Sequence, residues 1–393
     1  MRVASIIVAS AVLSGCAQVG GPATLPSSYG TPFGVPDVAF KSLYSFKTIP
    51  DGMDPSAGMV VLNGALYGTT QVGGQGDAGA VFTSSTAGKE RVLYSFGTGS
   101  GPDGVFPVAG LVVLNGIFYG TALSGGQNGF GAVFKIDKSG KESLVYSFKG
   151  SKDGSGPYAA LTLYKGALYG TTIQGGGSSN CLQGCGTVFA VTTAGKEHVV
   201  YAFKGGSDGA APVSDVIAVN STLFGTTPNG GKNGTGTIFK TSTTGKEQVL
   251  HSFGSGLDGS EPEAGLVSLN GKLYGTTNGG GQHFNGTVFS ATTAGSEHVV
   301  YDFKGGSDGA NPEADLAVFK NILYGTTATG GAASVGTVFS VSPSGSEHVL
   351  HAFKSASEGS DPRGSLVVDA GSLYGTTSMG GANQFGTIFK VTP

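Results

Sequence analysis

The stretch LYGTTATGGAASVGTVFSV, residues 323–341, decides the fold. Two runs of β-branched and aromatic residues, Ile322 to Thr327 and Thr337 to Val341, flank a glycine-rich loop, which is the pattern of two short strands joined by a turn. Working outward, Leu316 to Phe319 precedes them as another short apolar run, and Glu347 to Phe353 follows beyond a Pro-Ser-Gly-Ser turn. The unit recurs. LYGTT or a near variant begins at Leu66, Phe118, Leu168, Leu223, Leu273, Leu323 and Leu373, and G[AT][VI]F begins at Gly79, Gly131, Gly186, Gly236, Gly286, Gly336 and Gly386. An aromatic triplet ends at Phe46, Phe96, Phe148, Phe203, Phe253, Phe303 and Phe353. The steps between these marks are 20, 13 and 17 residues, with insertions only in the second and third copies, so the period is 50. A period of that size signals a propeller, solenoid or array.

Four short strands per period, the first two joined at Asn63-Gly64, Asn115-Gly116 and Asn270-Gly271 by the strongest short hairpin signal, predict an antiparallel four-stranded unit. Seven units predict an all-β, seven-bladed β-propeller of four-stranded antiparallel blades. The ends support closure: Phe40 to Phe46 is a lone fourth strand and Gly386 to Thr392 a final third strand, so the amino-terminal strand completes the last blade and hides its open edge. A β-solenoid would carry a rung-sized subperiod, and none is present.

Charged residues make up 12% of the 393, with a formal net charge of −3 and no Lys/Arg run. Phosphate backbones are bound by clustered cations, so nucleic acid is not an expected partner. No apolar stretch approaches the roughly 20 residues of a membrane-crossing helix. Glycine is nonetheless abundant, 72 residues, and follows the repeat instead of marking low complexity.

Met1 and Arg2 precede an apolar run from Val3 to Leu13, the length of a signal-peptide core. Leu13-Ser14-Gly15-Cys16 resembles a bacterial lipoprotein signal, which implies that Cys16 becomes the lipidated first residue. Residues 1–15 are therefore expected to be the signal, 16–37 the lipidated cysteine with a flexible Gly/Pro/Ser/Thr tether, and 38–393 the propeller. Ala17 follows the cysteine where inner-membrane retention would favour Asp, so the expected address is the outer membrane.

The mid-strand glycine of LYGTT points to close backbone approach or a tight bend, and the repeated phenylalanines to core positions wedged between blades. After each aromatic triplet comes an acidic residue, Gly and Pro: Asp51, Asp103, Asp153, Asp208, Asp258, Asp308 and Glu358. These are turn-forming residues first. As seven carboxylates on one rim they are also candidates for a cation or a polyhydroxylated ligand, although one acid per loop falls short of the six to eight oxygens calcium takes, so no metal and no cofactor is expected. The glycine-rich loops between second and third strands share that face, and the third copy carries five extra residues with Cys181 and Cys185. In an exported chain such a pair predicts a local disulfide, and no second Cys/His pair matches it for metal.

Gly205 to Gly209 and Gly305 to Gly309 match G-x-S-x-G, but without the strand-to-helix turn of a nucleophile elbow. Gly99-x-Gly101-x-x-Gly104 matches a dinucleotide pattern with no helix behind it. His198, His298 and His348 share one outer-strand position where Arg91, Ser143 and Gln248 also stand, as suits an exposed face.

The aromatic triplet, the KGGSDGANPEA of Lys304 to Ala314, LVVLNG, LYGTT and GTVFKVT together resemble the GloVer tandem-repeat family of bacterial surface proteins, over residues 38 to 393. The resemblance implies exported, anchored repeats and brings no catalytic residues. The Gly-Gly pair after the second strand also looks like a distant relation of kelch blades, although the chain has no tryptophan. With no acid/base or nucleophile constellation, the expected function is a non-enzymatic binding or scaffold module at the cell envelope, its partner an envelope protein or a glycan. The alternative is a lectin-like or glycan-cleaving surface protein, which glycosidic chemistry would require to carry two positioned carboxyls.

Overall fold

The computed structural model describes residues 38–99, 102–254, 257–354 and 357–393. The signal, Cys16 and the tether lie outside the described residues, as do two positions of the Gly99 to Gly104 motif. Each 50-residue copy becomes one four-stranded antiparallel sheet, and there are seven, arranged as a seven-bladed β-propeller. In blade 6 the strands are Ala317–Phe319, Ile322–Thr327, Thr337–Val341 and Glu347–Ala352, in sequence order from the channel outward. Blade 7 takes its outermost strand from the other end of the chain: Ala39–Ser45 pairs with Thr387–Thr392, in register from Ala39 with Thr392 to Ser45 with Thr387.

The repeated residues hold neighbouring blades together. Gly325 sits mid-strand because the ring of Phe339 lies across it; a β-carbon there would come within 2.6 Å of the ring's Cζ. The close approach is thus made by an aromatic ring, where the sequence suggested backbone. Those rings meet the triplet phenylalanine of the preceding blade edge-on, for example Phe303 with Phe339 at 5.0 Å and Phe353 with Phe389 at 5.3 Å, and all four are fully buried. In six of the seven blades the first Thr of LYGTT or its variant donates its hydroxyl to a carbonyl of the next blade, Thr69 to Ala109 at 2.8 Å and, across the closure, Thr376 to Ala57 at 3.0 Å, whereas the Thr326 hydroxyl is buried without a partner. The proline of each loop presses against the left-handed glycine that opens G[AT][VI]F in the preceding blade, as Pro107 does on Gly79. One motif therefore needs the other, one repeat away.

Strands two and four run toward one face. The loops that leave them are stitched together there by bridges such as Ser260 with Gly279 and Ala310 with Thr329, and by two short ladders, Gly52–Met53 with Val72–Gly73 and Gly104–Val105 with Ser124–Gly125. This is the loop face.

Candidate functional site in the central channel mouth

The seven loop acids stand where the blades meet. Each accepts a hydrogen bond from the penultimate ring of its own triplet: Tyr44 on Asp51 at 2.6 Å, Tyr94 on Asp103 at 3.1 Å, Tyr146 on Asp153 at 2.9 Å, Tyr201 on Asp208 at 2.8 Å and Tyr301 on Asp308 at 2.7 Å. His251 meets Asp258 at 2.8 Å and His351 meets Glu358 at 3.2 Å in the same role. Each also takes a backbone N–H at the start of its loop, as Asp308 does from Lys304 at 2.7 Å. Gly97, Lys149 and Lys354 do the same for Asp103, Asp153 and Glu358. All seven acids are half-buried. Their geometry is that of clasps closing their own loops. The glycine after the acid is left-handed in five copies; Gly52 and Gly104 are not, and there a β-carbon would strike Thr70 and Ala122.

A different set of residues converges on the axis. The segment after each loop proline runs into the channel, and its first and third residues, Gly265 excepted, line the mouth: Ser56 and Gly58, Val108 and Gly110, Tyr158 and Ala160, Val213 and Asp215, Glu263, Glu313 and Asp315, then Arg363 and Ser365. Blades 1 and 2 contribute small or apolar side chains, whereas blades 4 to 6 contribute four carboxyls. The second residue after each proline is Ala, Ser or Gly, so these segments pack tightly around the axis and the lining positions alone are free to vary.

Asp215 and Asp315 flank Gly265, where a β-carbon would overlap Asp215 Oδ1 and lie 3.0 Å from Asp315 Oδ1. The Gly265 N–H donates to Asp315 Oδ1 at 2.6 Å and the Ser365 hydroxyl to Oδ2 at 3.1 Å. Burial raises both carboxyls above the usual range; repulsion from Asp315 lifts Asp215 further, and the two donors pull Asp315 back. The pair therefore favours sharing one proton, with the ionised member on Asp315. Burial likewise raises Glu263, and pushes Glu313 up to about 7 against the pull of Arg363. Arg363 is itself engaged, with both Asp361 oxygens 2.8 Å from Nε and Glu313 at 3.3 Å. Tyr158, 42% exposed, adds an aromatic face to the mouth. Chemically this is a cation-seeking depression with one partly neutralised arginine and one ring.

Sequence reasoning missed this set because it weighed the acids that repeat. The signal was there in the variation: among seven aligned segments after the loop proline, charges occur at the lining positions of the last four only. Cys181 and Cys185 are joined in a disulfide in the blade 3 loop, with Cα atoms 5.1 Å apart. The two G-x-S-x-G serines lie in short 3₁₀ turns, Gly206–Asp208 and Gly306–Asp308, with no histidine partner. His198, His298 and His348 are exposed.

The sequence profile of the Gloeobacter/Verrucomicrobia repeat matches residues 3–239, 178–329 and 218–393, and the chain belongs to that family. No curated protein sequence matches the chain. Among solved structures it is similar to an ancestral GH74 enzyme (TM-score 0.55, 13% identity, 86% of this chain and 48% of that one). It is also similar to the BP39L lectin of Burkholderia pseudomallei (0.52, 10%, 90% and 95%) and to a puromycin hydrolase (0.51, 10%, 81% and 49%). The chain spans about half the length of the hydrolase and of the GH74 enzyme. At such identities the likeness is one of fold, which serves lectins and hydrolases alike.

Proposed function

We propose that this member of the Gloeobacter/Verrucomicrobia repeat family is a non-enzymatic binding module that receives a basic segment of a polypeptide partner in the acidic channel mouth. The observation that carries the reading is the concentration of four half-buried carboxyls at that mouth, with only Arg363 against them. The loops of the same face also carry exposed apolar side chains: Phe130, Leu182, Leu257, Phe284 and Met379. Patches that combine apolar contact with a charged centre suit protein recognition. The repeated acids favour binding over catalysis, since each is held by its own loop.

Export and anchoring belong to the same proposal. Lipid attached at Cys16 would hold the chain at the bacterial outer membrane, each buried CH₂ contributing about 0.8 kcal/mol. Cys16→Ser should move the protein from the membrane fraction to the soluble one while its melting temperature stays the same; retention in the outer membrane would sink the anchor.

The direct test of binding is fluorescence anisotropy with a labelled lysine/arginine decapeptide and its glutamate counterpart. The basic peptide should bind, weaken as salt rises, and lose at least tenfold in affinity in the Glu263→Gln/Glu313→Gln double variant. Equal binding of both peptides defeats the proposal. A second reading, a glycan ligand, is favoured by the partly exposed Tyr158 ring lining the same mouth as the Asp215 and Asp315 pair; a glycan array and a hydrolase panel separate it, and turnover of any glycan would replace binding with catalysis.

A further inference from the structure

Away from the channel, the rims of the blade junctions repeat a triad: the ring of the aromatic triplet, the loop acid, and a glutamate that opens the outermost strand of the next blade. Five junctions combine Tyr, Asp and Glu, as in Tyr44, Asp51 and Glu90. Two have histidine in place of tyrosine. At the junction of blades 6 and 7 the glutamate is missing, because Phe40 of the closing strand occupies its position and stacks flat on His351, ring centroids 3.6 Å apart. Only the junction of blades 4 and 5 brings an imidazole together with two carboxylates.

There His251 Nε2 lies 2.8 Å from Asp258 Oδ2, and one donor atom from each of His251, Asp258 and Glu297 falls within 4.8 Å of the others. We propose that these three side chains bind a divalent metal ion of the zinc class. The first two side chains are 18% and 11% exposed, and the Glu297 Oε1 atom, like that of the equivalent glutamate at the five tyrosine junctions, is buried without a hydrogen-bond partner; only here does an imidazole stand beside it among the described residues. The imidazole is held edge-on by Phe253 at 4.9 Å, and the Gly254 N–H fixes Asp258 Oδ1 at 3.0 Å, so two ligands are already oriented. Asp258 and Glu297 also line an open cleft with Gln282 and Asp302, which gives an ion access and leaves room for water in the remaining coordination positions.

The donor set selects the ion. Calcium and magnesium prefer oxygen alone, whereas one imidazole with two carboxylates suits zinc and its first-row neighbours. Bonds of about 2.0–2.2 Å place donor atoms of one ion roughly 3 Å or more apart, so replacing the shared His251 proton by metal asks for a small opening. A purely structural clasp is served equally by tyrosine at five sister junctions, which supplies a natural control within the chain.

The test is equilibrium dialysis of the untagged protein against Zn²⁺, with Co²⁺ absorption as the spectroscopic readout. One equivalent should bind and raise the melting temperature. His251→Tyr, which installs the residue of five sister junctions, should keep the metal-free melting temperature and lower affinity at least tenfold; Glu297→Gln should do the same. His351→Tyr should leave stoichiometry at one. The proposal is overturned if the wild-type protein binds no stoichiometric Zn²⁺, if His251→Tyr and Glu297→Gln both bind like wild type, or if His351→Tyr alone abolishes binding.

Discussion

The junction of blades 6 and 7, where the amino-terminal strand supplies the outer edge of blade 7, differs from the other six most visibly at its rim. Inside, all seven share a phenylalanine lying over a glycine and a proline against a left-handed glycine, and six add a threonine hydroxyl reaching across; at the junction of blades 6 and 7 the Thr326 hydroxyl is buried without a hydrogen-bond partner. At the rim, six present a glutamate to the loop acid, and the one made by the closing strand presents Phe40 to His351 and Glu358. A strand that must find its sheet from the far end of the chain gains from stacking and apolar burial, which need no partner already in place, whereas a buried carboxyl needs its donors assembled. The interior of a junction specifies the propeller; its rim is where individual junctions acquire different chemistry.

The largest effect comes from removing the closing strand, which meets blade 6 through Phe40 and blade 1 through Phe46. A chain beginning at residue 48 loses the pairing of Ala39–Ser45 with Thr387–Thr392 and the Phe46 wedge on Phe82, leaving an open edge. Relative to a chain beginning at residue 38, the expected loss is about 5 kcal/mol or more, comparable with a domain's whole stability. Thermal circular dichroism reads it, and equal melting temperatures for the two chains would remove the closure from the argument.

Next in size is a pH effect of opposite sign at the two kinds of rim. Burial first, and then the neighbouring loop acid, push Glu90, Glu142, Glu197, Glu247 and Glu347 up to about 7. A carboxyl raised in the folded state stabilises it fully below the ordinary range near 4.5, and that contribution is lost as pH rises through 7. These groups are half exposed, so after solvent screening each is worth about 1 kcal/mol. His351 is held below its usual value, chiefly by burial, and so disfavours the folded state as pH falls below about 6.5. Melting temperature should decline from pH 5 to 8, and glutamine at the five positions should flatten the decline. A curve unaffected by those five changes would break the contrast.

Smaller again is the shared interior. Ala at Gly275 would bring a β-carbon 2.7 Å from the Phe289 ring, and Gly375→Ala would crowd Phe389 in the same way, each costing about 1–3 kcal/mol by overpacking. Chemical denaturation should give the two variants equal costs. A much smaller cost at Gly375 would mean that the closing blade is loosely packed throughout, and that its difference is not confined to the rim.

What could be read from sequence follows the same division. Period, strand count and closure are written in repeated residues, and repetition is itself the signal: Phe40 to Phe46 was legible as a stray fourth strand because six others resemble it, whereas the lie of each Phe ring across its Gly was not. The loop acids were legible as turn residues, but their partners were not, since Tyr301 and Asp308 meet only once the strand end folds back over its loop. Asp215 and Asp315 were illegible for the opposite reason. They are 100 residues apart, each stands alone in its copy, and the fold brings them either side of Gly265 by placing equivalent positions around one axis.

The smallest expected change in stability carries the sharpest test of the comparison. Phe40→Glu gives the closing junction the glutamate of its six sisters, beside His351 and Glu358 already 3.2 Å apart. It forfeits the stack on His351 and the edge contact with Phe353 at 5.5 Å, a cost of about 1–2 kcal/mol for a half-buried ring that keeps its strand pairing. In exchange the rim becomes His, Glu and Glu, the ligand types present at the junction of blades 4 and 5. If position at the rim alone determines the chemistry, the variant should bind a second equivalent of Zn²⁺, and His351→Tyr in that background should abolish only the second. Loss of stability without any gain in metal would mean that the geometry around Asp258, one carbon shorter than Glu358, matters as much as the identity of the three ligands.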